Sequence, residues 1–278
     1  MTTLFHYSDV DGFFNIVKNK KLWLSGPHNL NDHQELHWAL GKTYKALELL
    51  LPLYQKEHVE LLWESIRINK LTPFTCSLSS NGDLLSQWRA YARNGTGLAI
   101  GLNRDLLPNT GYTPHHNAAK SHCITTMQVT YDDQEQDATI KAILEKALNS
   151  ARDSENWQTN PAMIDAAFEI NGLATIYKNN AFREECEWRL IHTPMITGNI
   201  ETNKTSVMGG LSEIKHRTSN GKLITYFEYD FSHLVEAGLI TDLVLGPKCE
   251  VTEYDLNIFL SVQGLEKLNF RRSAASYR

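Results

Sequence analysis

Segments with strand patterning crowd the two ends of this chain, and segments with helical patterning fill its middle. Its elements therefore do not alternate as a regular βαβ series would. Period-two or short apolar runs fall at residues 4–7, 22–24, 72–78, 98–102 and 123–131, and again at 182–191, 222–231, 240–245 and 268–271. Helical spacing occupies about 36–70, broken near Pro52, and about 134–178, with shorter helices at 10–19, 83–92 and 250–263. Ser8 or Asp9 is placed to cap the first of these, whose buried stripe is Phe13, Phe14, Ile16 and Val17. Residues 103–121 read as a polar surface loop, and 197–221 as irregular and mobile. No repeat or linker divides the 278 residues, so the expectation is one α+β domain over 1–278.

Composition narrows the partners. Hydrophobic content of 42% and charged content of 21% are those of an ordinary globular chain, and the net charge of −5 argues against a broad nucleic-acid or membrane surface. A local basic groove stays compatible with it. Cys76, Cys123, Cys186 and Cys249 are widely spaced, which reads as reduced thiols in the cytoplasm. The first residues carry neither a basic region nor an apolar run, and no segment approaches membrane-spanning length.

The run Phe182-Arg183-Glu184-Glu185-Cys186-Glu187-Trp188-Arg189-Leu190-Ile191 concentrates charge in a strand-like segment. With period two, Glu185, Glu187 and Arg189 share one face, and Cys186, Trp188 and Leu190 share the other. Carboxylates held that close raise one another's pKa unless a cation or donor intervenes. One reading is a solvated edge strand whose acids pair with Arg183, Arg189 and water. The other has Glu187 stabilising a developing sugar cation and Glu185 orienting a nucleophile or a ribose hydroxyl.

Three further groups carry polar chemistry. His6-Tyr7-Ser8 on the first strand can bond a ribose and stack a ring, although a structural histidine fits the same residues. Ser77, Ser79 and Ser80 end a strand that leads to Gln87, Trp88, Arg89 and Tyr91, with Trp88 the better core residue. In the loop 28–37, His33 and His37 stand four apart beside Asp32 and Glu35, but a helix cap with a capping box accounts for the acids better than a metal does. Gly95, Gly97 and Gly101 precede a strand and form no dinucleotide fingerprint, and Gly246-Pro247-Lys248 reads as a turn. No Gly-x-Ser-x-Gly elbow is present.

These segments resemble a bacterial family known as "domain of unknown function 2971". The resemblance rests on Phe5-His6-Tyr7-Ser8, Leu22-Trp23-Leu24-Ser25, Asn31-Asp32 with Glu35, Asp83 through Tyr91, Ala181 through Arg189, Leu245-Gly246-Pro247-Lys248 and the ending Ser273 to Arg278. His33 departs from it, where proline is the more usual residue. The layout in turn looks like that of ADP-ribosyltransferases of the His-Tyr-Glu kind: a first-strand His6 before Lys20-Lys21-Leu22, a strand ending at Ser77 and Ser79 before Tyr91, and a late Glu185-x-Glu187.

That second resemblance implies a central mixed or antiparallel split β-sheet with a helical insertion, and NAD as substrate. His6 would bond the adenosine ribose, Tyr7 or Tyr91 would pack on nicotinamide, and Ser77 and Ser79 would line the cleft. Glu187 would hold the nicotinamide ribose and its oxocarbenium-like transition state, and Glu185 would orient an acceptor that could be protein, nucleic acid or a small molecule. A bacterial toxin or phage-defence effector is the biological setting this suggests. An NAD glycohydrolase, a non-catalytic sensor or interaction module and, more distantly, a metal-dependent nuclease are the competing expectations.

Overall fold

The computed structural model describes residues 2–26, 35–110, 124–152, 154, 156, 159–199, 204–219 and 221–275. Its main sheet forks at β3 (Phe74–Ser79). One edge of β3 carries β6 (Glu187–His192) in continuous antiparallel register from Phe74↔His192 to Ser79↔Glu187. The other edge is shared by β1 (Thr3–Ser8), which meets it at Phe5↔Ser79, and β2 (Lys21–Ser25), which meets it at Ser25↔Thr75. From β1 the sheet continues through β4 (Leu98–Asn103) and β11 (Ile240–Leu245) to β12 (Asn269–Arg272). From β2 it continues through β10 (Lys222–Asp230) to β9 (Lys215–Ser219), while β5 (Ile124–Gln128) lies outside β6. The β11–β12 pair is parallel and the other ladders are antiparallel, so the sheet is mixed. The result is a single-domain α+β fold with a split sheet.

Strand alternation gives the sheet two faces. Leu4, Phe74, Cys76, Leu78, Trp188 and Leu190 join one core, which α1 (Val10–Asn19) and α7 (Glu253–Val262) cover through Phe13, Val17, Leu256 and Leu260. On the opposite face Ile191 packs into a helical layer of α2 (Glu35–Leu50), α3 (Lys56–Ile68), α5 (Asp133–Arg152) and α6 (Pro161–Leu173). The two helical regions, far apart in sequence, thus form one layer behind β6. Short α4 (Leu85–Ala90) adds Trp88 against Tyr7, Ala99 and Val244.

Asp9 caps α1, its carboxylate accepting from Gly12 N at 2.8 Å. Phe14 departs from the expected buried stripe: it is 42% exposed and stacks on Phe259 of α7. The stretch 197–221 departs more strongly, since it contributes to β7 (Met195–Asn199), β8 (Lys204–Met208) and β9. Its polar and glycine-rich composition hid ladders whose stability comes from backbone pairing, as in the β7–β8 hairpin with Ile196↔Val207 inward. The glycine segment before β4 and the Gly246-Pro247-Lys248 turn meet each other. Gly246 N donates to Gly97 O and Lys248 N to Gly95 O, both at 2.9 Å, and a Cβ on Gly97 would collide with the Ser8 carbonyl.

Candidate functional site

The acidic segment begins as a 3-10 turn over Asn180–Glu185, passes Cys186 in the left-handed region (φ 48°) and only then becomes β6. Glu185 is therefore not on the strand, contrary to the period-two reading. The αL residue absorbs the change of direction and still brings both acids to one cation. Nor is β6 an edge, being flanked by β3 and β5.

Glu187 is 5% exposed and its carboxylate is enclosed by donors. Oε1 accepts from Ser77 Oγ and Arg189 Nε, each at 2.8 Å, and Oε2 accepts from Arg189 Nη2 at 2.9 Å and Lys178 Nζ at 3.2 Å. Lys178 Nζ also donates to Glu185 Oε2 at 2.6 Å, and Arg189 Nη1 to the Thr175 carbonyl at 2.9 Å. Two acids and two cations thus balance in a site sheltered from water. Burial alone would raise the pKa of Glu187, but Arg189, Lys178 and Ser77 overcome it and bring it down to about 2. The cation that the close acids required is present twice.

Ser77 ties this cluster to the fork. Its carbonyl lies 3.0 Å from His6 Nδ1, in the gap where β1 has left β3. His6 points to the face of Cys76, whose Sγ is 3.5 Å away, whereas Glu187 lies on the opposite face. Burial opposes charge on the His6 ring, yet the Cys76 sulfur and the Ser77 carbonyl prevail and raise its pKa to about 9. Ser79 Oγ donates to the Glu185 carbonyl at 2.8 Å, which holds the 3-10 turn against β3.

Tyr7 sits on the Glu187 face but is already engaged: its hydroxyl donates to Asn81 O at 2.8 Å, accepts from Leu84 N at 3.0 Å, and its ring meets Trp88 edge-on at 4.7 Å. Burial pushes its pKa up. Tyr91, 39% exposed, follows α4. Hydrogen bonds therefore link His6, Ser77, Ser79, Glu185 and Glu187, while Tyr7 and Tyr91 belong to the α4 region. Residues 28–34 lie outside the described residues.

Two polar anchors were not anticipated. Lys178 is the first; a single lysine closing the uncharged run 170–177 was the available signal. Asp83 is the second: its carboxylate accepts from Trp88 Nε1 and Ala274 N, both at 2.8 Å, and from Ser273 Oγ, tying the C-terminal tail to α4.

Residues 87–190 match the family model described as "Protein of unknown function (DUF2971)". The span runs from α4 to β6, so it contains Lys178, Glu185, Glu187 and Arg189 and leaves His6, Ser77 and Asp83 outside. No curated protein matches, and no solved structure matches.

Proposed function

We propose that this chain, whose residues 87–190 match the DUF2971 family model, acts on NAD as an ADP-ribosyltransferase, with the dinucleotide entering at the fork between β1 and β3. One observation carries this reading. His6, Ser77 and Glu187, drawn from three strands, stand in consecutive hydrogen-bond contact through Ser77. In the reaction the glycosidic bond between nicotinamide and ribose breaks and its electron pair leaves with nicotinamide. The acceptor forms the new bond to the same carbon, and the proton it gives up passes to solvent. The cationic sugar between these events is stabilised by a fixed negative charge, and Glu187 is held ionised for that purpose. Of its donors, the Ser77 hydroxyl is the neutral one, so a ribose hydroxyl can replace it without upsetting the charge balance. Glu185, half-buried and bonded to Lys178, orients the acceptor; with water as acceptor the same site is an NAD glycohydrolase.

A second reading has its own observation. Four hydrogen bonds from Ser77, Lys178 and Arg189 converge on the Glu187 carboxylate, as suits a clamp that fixes β6 in a non-catalytic binding module. Incubating the purified protein with NAD and following free nicotinamide separates the two. The enzyme reading expects release that falls by orders of magnitude in Glu187→Gln with the fold retained. No release, or release unchanged in that variant, supports the clamp. Labelled ADP-ribose transferred in a lysate, followed by protease or nuclease digestion, names the acceptor class. Growth arrest on expression, relieved by Glu187→Gln, is the result expected of a toxin or defence effector.

A further inference from the structure

The helical layer holds a groove whose lining includes none of the residues just described. α2 and α3 pack together so that His37, Gly41 and Tyr44, at i, i+4 and i+7, face Trp63 and Arg67, at i and i+4, with Lys70 just past the end of α3. They line an open groove of about 370 Å³, within the volume range of small-molecule pockets. Tyr44 and Trp63 meet edge-to-face, with centroids 5.4 Å apart and planes at 63°, and so form a corner against which a flat ring can seat. Tyr44 remains 48% exposed, leaving aromatic surface for a ligand.

Gly41 supplies an independent indication. It lies inside a helix, where glycine is less stable than alanine. No packing demand explains it, because a Cβ built there meets nothing within 4 Å. What the missing side chain does is keep the groove open beside the aromatic corner. The charge at the groove is basic in a chain of net charge −5. Arg67 shares its charge with Glu64 at 2.6 Å, and among the described residues no carboxylate lies within ion-pair distance of Lys70. Flat aromatic surface next to such a lysine suits a ligand that joins a planar base to a phosphate.

We infer that the groove between α2 and α3 binds a nucleoside monophosphate, its base against Tyr44 and Trp63 and its phosphate at Lys70 with Arg67. The test is calorimetric titration of the whole chain with AMP, adenosine and inorganic phosphate, repeated on Gly41→Ala, Gly41→Leu and Lys70→Glu with a melting curve for each.

AMP should bind saturably, with adenosine about tenfold or more weaker for want of the charge-assisted contacts to the phosphate. Gly41→Leu fills the groove and should lower AMP affinity by about tenfold or more without lowering the melting temperature, since leucine is the better helix former. Gly41→Ala should melt higher and keep AMP affinity within about threefold, and Lys70→Glu should weaken it about tenfold. A 5′-phosphorylated trinucleotide separates the two sources of this chemistry: tighter binding than AMP, lost in Gly41→Leu, assigns the groove to a strand end, and weaker binding to a free nucleotide. No heat with AMP, or full affinity in Gly41→Leu, overturns the inference. Nicotinamide release should be equal in Gly41→Leu and wild type, so the groove and the NAD site can fail separately.

Discussion

Ser77 faces Arg189 across the β3–β6 ladder, yet it donates its hydroxyl to Glu187, two residues along β6, at 2.8 Å. A diagonal contact of this kind needs no change in the ladder to break, because the backbone register is held by the direct pairs. Ser77→Ala should therefore leave the fold intact and remove one donor from a buried charge. The expected loss is about 1.5–3 kcal/mol of stability, the range for a hydrogen bond to an ionised group. Urea unfolding of the two proteins measures it. A loss near zero would mean that water or another donor already serves Glu187.

Lys178 is the cation that both acids share, and it is nearly out of contact with water. Replacing it by methionine keeps the stem but strands two carboxylates beside one arginine. The expected cost is on the order of 3 kcal/mol, as for other broken buried pairs. Adding Glu185→Gln should recover part of that cost, because it removes one stranded charge. Additive effects of the two changes in a double-mutant cycle would show that residues 178 and 185 are not coupled.

Much of this fold was legible because patterning and packing agree. α1 and β11 span the residues that periodicity assigned, and the break near Pro52 falls between α2 and α3. Trp88 is core as its size suggests, with its indole nitrogen bonded to Asp83. The face shared by Glu187 and Arg189, and the opposite face of Trp188 and Leu190, followed from strand alternation. What alternation cannot see is a local change of conformation: Cys186 in the left-handed region resets the phase, so Glu185 reaches Lys178 from a turn. It is equally blind to partners distant in sequence. The docking of Ser273 on Asp83 spans 190 residues and leaves no local trace.

The acid limb of stability should carry the signature of Glu187. Its folded pKa is about 2 against an ordinary value of 4.5. A depressed carboxylate contributes stability that is complete above the unfolded value and is lost as pH falls through the folded one. Here the window runs from 4.5 down to about 2, and the amount at stake is on the order of 3 kcal/mol. Urea midpoints measured from neutral pH downward should fall through this window in the wild type. In Glu187→Gln the neutral-pH midpoint should be lower and the acid limb shallower. Parallel limbs in the two proteins would place the acid sensitivity on other groups, of which Asp83 and Glu228 are also depressed.

Asp83 links the tail to the α4 region, and its loss should be felt at Trp88. One oxygen accepts from the Trp88 indole and the Ser273 hydroxyl, and the other from Ala274 N, with Arg271 at 3.8 Å. Burial would raise its pKa, but those donors hold it below the usual carboxylate range, so it is ionised at neutral pH. Asp83→Ala leaves the buried indole N–H without its acceptor and releases the segment after β12, at an expected cost of about 2 kcal/mol. Ala275, which packs against the cluster of Tyr7 and Trp88, should separate with it. Proteolysis reads the release directly, through faster cleavage after Arg271 and Arg272, and tryptophan emission should shift to the red. Ser273→Ala removes one donor and keeps the backbone bond from Ala274, so its cleavage rate should fall between wild type and Asp83→Ala. Equal rates in all three would show that β12 pairing alone, and not Asp83, holds the tail in place.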